Sequence, residues 1–236
     1  MWIGVLHNIR TGCKTIDEIL EGGIPNRKVS LIYGEAETGK TTLAMQCALN
    51  CARQKYKTLF VDCDGTFSAQ RLSQIALKEF KDISELIILM KPNDFSEQTI
   101  VIDRLTDYIT KSFGLVVIDT LTSLYRAEIA EYPEKTFNLN RELNRQMACL
   151  AQIAKTHKIV VLTTSQVRSV FNEALVSIEP VATRVLRFWA DIIIAMKPTE
   201  NPQIIRAILE KNPKKVLPAT CHLKIEETGI HECLIH

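Results

Sequence analysis

The sequence predicts an α/β fold: a mainly parallel central sheet with helices on both faces and a short antiparallel C-terminal extension. Two patterns carry this. Short, nearly continuous runs of β-branched and other apolar residues alternate with longer amphipathic stretches, as when strands buried on both faces are joined by helical crossovers. Towards the C-terminus the alternation stops, and two apolar runs flank the turn-rich spacer Lys197-Pro198-Thr199-Glu200-Asn201-Pro202, which reads as an antiparallel hairpin.

In chain order, buried strands are predicted at Val29–Tyr33, Thr58–Asp62, Leu86–Met90, Leu115–Asp119 and Ile159–Thr164. Helices are predicted over Thr41–Gln54, Ser68–Glu79, Phe95–Phe113 and Leu139–His157; in the last, Leu143, Met147, Leu150, Ile153 and Ala154 recur at helical spacing. The C-terminal hairpin pairs Asp191–Met196 with Ile204–Lys211, and a further strand lies near His222–Ile225. No Ser/Gly linker, low-complexity block or internal repeat interrupts residues 1–236, which read as one domain. Glycine is absent between Gly114 and Gly229, so every turn in that stretch lacks the most permissive backbone residue.

Composition narrows the function. Hydrophobic residues make up 46% and charged residues 24% of the chain, ordinary values for a globular protein. The 29 basic and 27 acidic residues leave a net charge of +2, so no global field draws nucleic acid or a membrane, and any polyanion contact must come from a local patch. The longest apolar runs, such as Leu86–Met90, fall far short of the roughly 20 residues of a membrane span. Met1–Leu6 gives way at once to His7, Asn8 and Arg10, unlike a secretory signal. The seven cysteines include no CxxC pair and no neighbouring histidine spaced for zinc, so they read as packing thiols of a reducing cytosol. The expectation is a cytoplasmic protein with no membrane partner.

The most specific motif is Gly34-Glu35-Ala36-Glu37-Thr38-Gly39-Lys40-Thr41, a G-x-x-x-x-G-K-[ST] loop between a predicted strand and a helix that continues through Thr42. Glycines let successive N–H groups turn inward, and the helix N-terminus adds positive potential. Lys40 can then reach the β- and γ-phosphates of a nucleoside triphosphate, and the Thr41 hydroxyl can bind Mg²⁺. Asp119, closing an apolar strand, is either a helix cap or the second magnesium-side group; the phosphate loop favours the latter. Two more strand ends would face the same crevice, Asp62-Cys63-Asp64 and Thr163-Thr164-Ser165-Gln166. A carboxylate in the first could polarise an attacking water, and Gln166 could sense the γ-phosphate.

These residues resemble the RecA superfamily, and within it the RadB group of archaeal recombinase paralogues. The resemblance spans nearly the whole chain. It rests on Thr11–Ile24 leading into the phosphate loop, then Phe60–Leu72, Val117–Arg126 and Thr164–Arg168. It implies a RecA-like P-loop ATPase core using ATP and Mg²⁺. RadA recombinases add an N-terminal helical DNA-binding domain and a polymerisation linker; here the core pattern begins by Thr11, so neither is expected. An F-x-x-A match at Phe171–Ala174 lies after Gln166, where that linker motif does not belong, and reads as chance.

The resemblance assigns the catalytic glutamate to the position of Asp64, one methylene shorter, which implies slow hydrolysis with retained binding. It makes Arg71 the arginine that stacks on adenine, although an exposed helix arginine is the plainer reading of that residue. Glu37 stands where many relatives carry a small residue and is expected to point outward. DNA is expected at two loops. Tyr125–Asn138 holds Arg126 and Lys135 against three glutamates; Val167–Arg187 offers Arg168, Arg184 and Arg187 and lacks the glycine pair of active recombinases, with Pro180-Val181-Ala182-Thr183 there instead. Arg141 and Arg145 share a helix face and extend the patch, or all five are simply solvated charges. Phe171, Phe188 and Trp189 could stack bases, but Phe188 and Trp189 precede a strand and read as core. Lys211, with Lys214 and Lys215 near it, is the match for a residue that reaches a neighbouring subunit's ATP. The implied function is an accessory to homologous recombination and DNA repair, with weak ATPase activity and no strand exchange of its own. It would bind single-stranded or branched DNA weakly, act with RadA recombinase or a Holliday-junction resolvase, and assemble with further copies of itself. A KaiC-like signalling ATPase and a nucleotide-stabilised scaffold are the alternatives.

Overall fold

Residues 29–34 are apolar almost without interruption and must be covered on both sides, and they form a central strand. The computed structural model describes residues 6–172, 175–180, 182–213 and 218–233, with side chains except at 168–172 and 175–180. Helix α1 (Lys14–Ile19) precedes β1 (Val29–Gly34), and α2 (Lys40–Arg53) leads to β2 (Lys57–Asp62). Then come α3 (Ala69–Ala76), α4 (Phe80–Ser84), β3 (Ile87–Met90), α5 (Phe95–Asp103), α6 (Leu105–Tyr108) and β4 (Phe113–Asp119). Helices α7 (Ser123–Glu131) and α8 (Thr136–His157) precede β5 (Val160–Ser165), β6 (Val167–Asn172) and β7 (Leu175–Pro180). Helix α9 (Thr183–Trp189), β8 (Ile192–Pro198), β9 (Ile204–Lys211), β10 (Ala219–Glu226) and β11 (Gly229–Glu232) follow.

Nine strands form one sheet in the order β11-β10-β9-β8-β1-β5-β4-β2-β3, and β6 and β7 make a separate hairpin. The six strands from β8 to β3 are mutually parallel, whereas β9, β10 and β11 each pair antiparallel with the strand before. This is a RecA-like α/β fold, with the parallel core and antiparallel extension that the sequence predicts. Every residue of β1, β4 and β5 is buried, so both faces of the central sheet are covered. Helix α8 supplies part of that cover through Leu143, Met147, Leu150, Ile153 and Ala154, all buried.

Four expectations are corrected. Strand β3 is not buried but forms the sheet edge, with Ile88 and Leu89 36% and 45% exposed; an apolar run alone does not reveal its place in a sheet. The single helix predicted for Phe95–Phe113 is two, divided at Arg104, and Phe113 already belongs to β4. Helix α3 stops at Ala76, because Leu77 takes φ +53°, and a 3₁₀ turn continues to Glu79. The stretch read as a first loop, 125–138, is helical almost throughout, and most of the second is the β6–β7 hairpin and α9. Where glycine is missing, Lys158 and Ala182 take the left-handed conformation, at φ +58° and +53°.

Candidate nucleotide site

The turn from β1 into α2 needs glycine at both ends. A Cβ on Gly34 would lie 2.1 Å from the Met196 carbonyl oxygen of β8. Gly39 holds φ +83°, and a Cβ there would meet Ile230 Cδ1 at 2.9 Å. Between them Ala36 and Glu37 are exposed, and Thr38 Oγ1 donates to the Glu35 carbonyl at 2.8 Å, closing the loop. Lys40 is buried and its Nζ donates to the same carbonyl at 2.5 Å. Burial pushes the Lys40 ammonium pKa down, while Asp119, Asp64 and Glu35 pull it back up. Thr41 and Thr42 are half-buried in the first turn of α2, where free backbone N–H groups favour an anion.

Asp119 ends β4 fully buried. Burial raises its carboxyl above the usual range, against the nearby hydroxyls of Thr164 and Thr41, which favour the charged form. Thr164 Oγ1 donates to Oδ1, and among the described residues Oδ2 has no partner. An orphaned buried carboxylate oxygen beside the Thr41 hydroxyl suits a divalent cation. Among the described residues no group of three or more His, Cys, Asp or Glu could hold a metal alone. Magnesium commonly takes one or two carboxylates and fills its octahedron with water and substrate phosphates, a demand that Asp119 and the Thr41 hydroxyl could meet.

The two aspartates at the end of β2 have different tasks. Asp62 is buried and turns back to accept the N–H groups of Thr66 and Phe67 at 3.1 and 3.2 Å, so it shapes the loop. Asp64 is exposed at the strand end, where it accepts Ser123 Oγ at 2.5 Å and Gln166 Nε2 at 3.3 Å. Gln166 in turn accepts from Arg126 Nη1. The ends of β2 and β5 are thereby tied to α7 through Ser123 and Arg126, three residues apart on one helix face. The sequence marks Arg126 only as a loop cation and gives Ser123 no role of its own; their helical spacing behind the Asp119 strand was the available signal for this link.

The β10–β11 hairpin forms a wall of this site. Gln46 of α2 exchanges two hydrogen bonds with Ile230, Nε2 to the carbonyl at 3.1 Å and backbone N–H to Oε1 at 2.8 Å. Ile225 and Ile230 back Gly39. Arg71 spans to the same hairpin, donating to the Glu227 and Glu226 carbonyls at 2.6 and 2.7 Å.

Among the described residues, two of the five arginines expected to meet DNA are already paired. Arg145 is held by Asp103 and Glu142, both at 2.7 Å, and Arg187 by Glu210 at 2.7 Å. Arg141 and Arg184 are exposed. Arg168 lies on β6, but its side chain is outside the described residues, as are the side chain of Phe171, residues 173–174 of the F-x-x-A match, Val181, Lys214 and Lys215. Lys211 donates to the carbonyls of Arg187 and Ala190 at 2.8 and 2.6 Å, capping the end of α9 within its own chain. Phe188, read as core, is 73% exposed because the last turn of α9 points it away from the sheet; Trp189 is half-buried against the core. All seven cysteines are free thiols. Among the described residues no helix is long and apolar enough to cross a membrane.

The sequence pattern of the Rad51 family matches residues 4–233. The DNA repair and recombination protein RadB of Thermococcus gammatolerans is 37% identical over 227 residues, covering 95% of this chain and 98% of that protein. The protein of the same name from Methanosphaera stadtmanae is 29% identical over 218 residues, covering 92% of each. A crystal structure of the RadB recombinase superposes with a TM-score of 0.82 at 32% identity, covering 96% of this chain and 100% of that one.

Proposed function

The chain belongs to the Rad51 family, and from that premise we propose that it is an ATP- and DNA-binding accessory of homologous recombination and DNA repair. In this reading it hydrolyses ATP slowly, performs no strand exchange itself, and modulates RadA recombinase or a Holliday-junction resolvase as a single RecA-like unit that assembles with its own copies. The observation that carries it is the convergence of Lys40, Thr41, Asp119 and Asp64 at the carboxyl ends of adjacent parallel strands, the place where such sheets bind ligands.

Each residue has a task in the proposed reaction. The loop from Gly34 to Thr42 wraps the phosphates, and Lys40 moves from the Glu35 carbonyl to their oxygens. Arg71, fixed by two hairpin carbonyls, offers its guanidinium face to adenine. Thr41 and Asp119 would hold magnesium, which would neutralise phosphate charge when bound. Asp64 orients the attacking water, and its short side chain makes turnover slow; misplacement of about 1 Å can cost on the order of 100-fold. Gln166, between Asp64 and Arg126, senses the γ-phosphate.

The test is a titration of labelled single-stranded and branched DNA with and without ATP·Mg²⁺ at two salt concentrations, beside a nucleotide thermal shift. Nucleotide at 100 times its dissociation constant should stabilise the chain by about 2.7 kcal/mol. Lys40→Ala should abolish that shift. DNA affinity should fall steeply with salt, as phosphate contacts require. No DNA binding even at low salt would overturn the repair reading and favour an ATPase that acts on protein partners.

A further inference from the structure

Four neighbouring strands of the parallel sheet, β1, β5, β4 and β2, are entered through segments that carry cations and no acid. Residues 26–28, 157–158, 110–112 and 54–57 hold six Lys and Arg and no Asp or Glu, in a chain whose net charge is only +2. Lys28 is paired with Asp191. Among the described residues Arg27, Lys55, Lys57, Lys111 and Lys158 form no ion pair, and all but the half-buried Lys57 are exposed. The entries are locked side by side. Arg27 N–H donates to the Ile159 carbonyl at 2.8 Å and Lys57 N–H to the Ser112 carbonyl at 2.7 Å, with the β4–β5 pairing between them. With strands about 4.8 Å apart, the row spans about 14 Å at the amino ends of the strands, the pole opposite the phosphate loop.

Neither the turns nor the helix ends demand these residues. Arg27, Lys55 and Lys158 hold φ +59°, +65° and +58°, left-handed backbone that glycine or asparagine adopts at less cost. Helices α2 and α8 end at this pole with cations of their own in the last turn, Arg53 in the first and Lys155 and His157 in the second. Lys55 and Lys158 come in addition to them. Glu79 is already taken by Arg53.

The chemistry of the row selects its ligand. Tyr56, Phe113 and Ile159, the large apolar residues at these entries, are buried, so the entries offer no ring to a base and no apolar centre to a protein partner. Lysine, depleted at protein interfaces, suits a phosphate backbone as a point charge. A duplex hides its base faces and carries one charge per about 1.7 Å of its axis, so about eight phosphates pass over a row of this length.

We propose that this pole of the sheet is a contact for the backbone of duplex DNA, made by Arg27, Lys55, Lys57, Lys111 and Lys158. It goes beyond the DNA reading above, which sets DNA on the segments after β4 and β5, and it rests on the premise that the chain meets DNA. A duplex arm of a branched molecule sits on this pole while its unpaired strand reaches the other.

The experiment titrates the full chain against a labelled blunt duplex and against oligo(dT) of equal length. Lys55→Gln/Lys111→Gln/Lys158→Gln should flatten the logarithmic salt dependence of duplex binding by about 2.7, three phosphates at about 0.9 each, and weaken it at least about tenfold at low salt. Its melting temperature, nucleotide shift and oligo(dT) affinity should match those of the parent. Lys55→Arg/Lys111→Arg/Lys158→Arg, which keeps the charges, should retain the parent's duplex affinity. Duplex binding unchanged in the glutamine variant would overturn the proposal while leaving the DNA reading intact. An equal loss of oligo(dT) binding would overturn it too, by showing one shared surface. Polyglutamate that binds the parent as tightly as the duplex, and is lost in the same variant, would give the face to an acidic protein instead. A parent chain that binds neither DNA at low salt would remove both readings.

Discussion

Gln166 donates its amide to Asp64 at 3.3 Å while its carbonyl accepts from Arg126, so one side chain joins the carboxylate at the end of β2 to helix α7. Ser123, one turn earlier on α7, holds the other Asp64 oxygen at 2.5 Å. One oxygen is engaged by α7 directly and the other by Gln166, which Arg126 of the same helix holds, so the carboxylate is fixed in direction. In the proposed reaction, fixed direction and short reach together would make Asp64 a well-aimed group that stops short of the attacking water.

Lengthening that side chain should speed hydrolysis. Asp64→Glu is expected to raise kcat by about 10- to 100-fold, the scale on which small misplacements act. Asp64→Ala should reduce turnover to background with the ATP dissociation constant within about twofold of the parent. Single-turnover phosphate release checks both, and full activity in Asp64→Ala would exclude Asp64 from the chemistry.

The Gln46–Ile230 exchange predicts that hairpin and phosphate loop are lost together. Gln46→Leu leaves a buried N–H and a buried carbonyl of Ile230 unpaired, each worth about 1–3 kcal/mol. Two such groups at about 2–4 °C per kcal/mol for a chain of this size should lower the melting temperature by about 4–24 °C. Because Ile225 and Ile230 back Gly39, nucleotide affinity should fall as well. A stable Gln46→Leu chain would show that the hairpin is not held through this pair.

The parallel core was legible because burial on both faces forces β1, β4 and β5 to be apolar without interruption, and the loop after β1 carries its chemistry in local sequence. What escaped was set by neighbours distant in the chain. Nothing within Ile87–Met90 says that no strand lies beyond it. Arg71 reads as a solvated helix residue until the carbonyls of Glu226 and Glu227, more than 150 positions away, come to meet it. Arg145 and Arg187 look like free cations until Asp103 and Glu210 arrive. Phe188 looked like core because a strand follows, but one residue of helical rotation separates it from the half-buried Trp189.

Burial also sets the thiol chemistry. Cys51 and Cys221 are both pushed up to about 12, chiefly by desolvation. A folded-state pKa raised above the unfolded value, near 9, contributes stability that is complete below pH 9 and lost as pH rises through 12. Urea melts should therefore show constant stability from these groups at pH 7–8.5 and a progressive fall above pH 9. Replacing Cys51 with Ala should blunt that fall. In the native chain a thiol reagent at pH 8 should label Cys149 and Cys233, which are half-buried, well before the five buried cysteines. Equal labelling of all seven would contradict the packing around α2 and β10.

Arg126 is where nucleotide state can be passed on. It is bonded to the side chain proposed to sense the γ-phosphate, and it lies on the helix that leads towards α8 and Arg141, one of the residues expected to meet DNA. Any phosphate that draws Gln166 away competes with the guanidinium, and any phosphate that draws Arg126 away releases Gln166. Arg126→Ala should therefore leave ATP affinity within about twofold but bring the ratio of DNA affinities with and without ATP·Mg²⁺ towards one. Arg126→Lys should be intermediate, since an ammonium keeps the charge without the planar fork. Linkage supplies an internal check: the factor by which ATP changes DNA affinity must equal the factor by which DNA changes ATP affinity. Both factors should shrink together in Arg126→Ala. If the DNA affinity ratio keeps its parent value, Arg126 does not carry the connection, and the route from Gln166 must run instead through the β6–β7 hairpin that follows it.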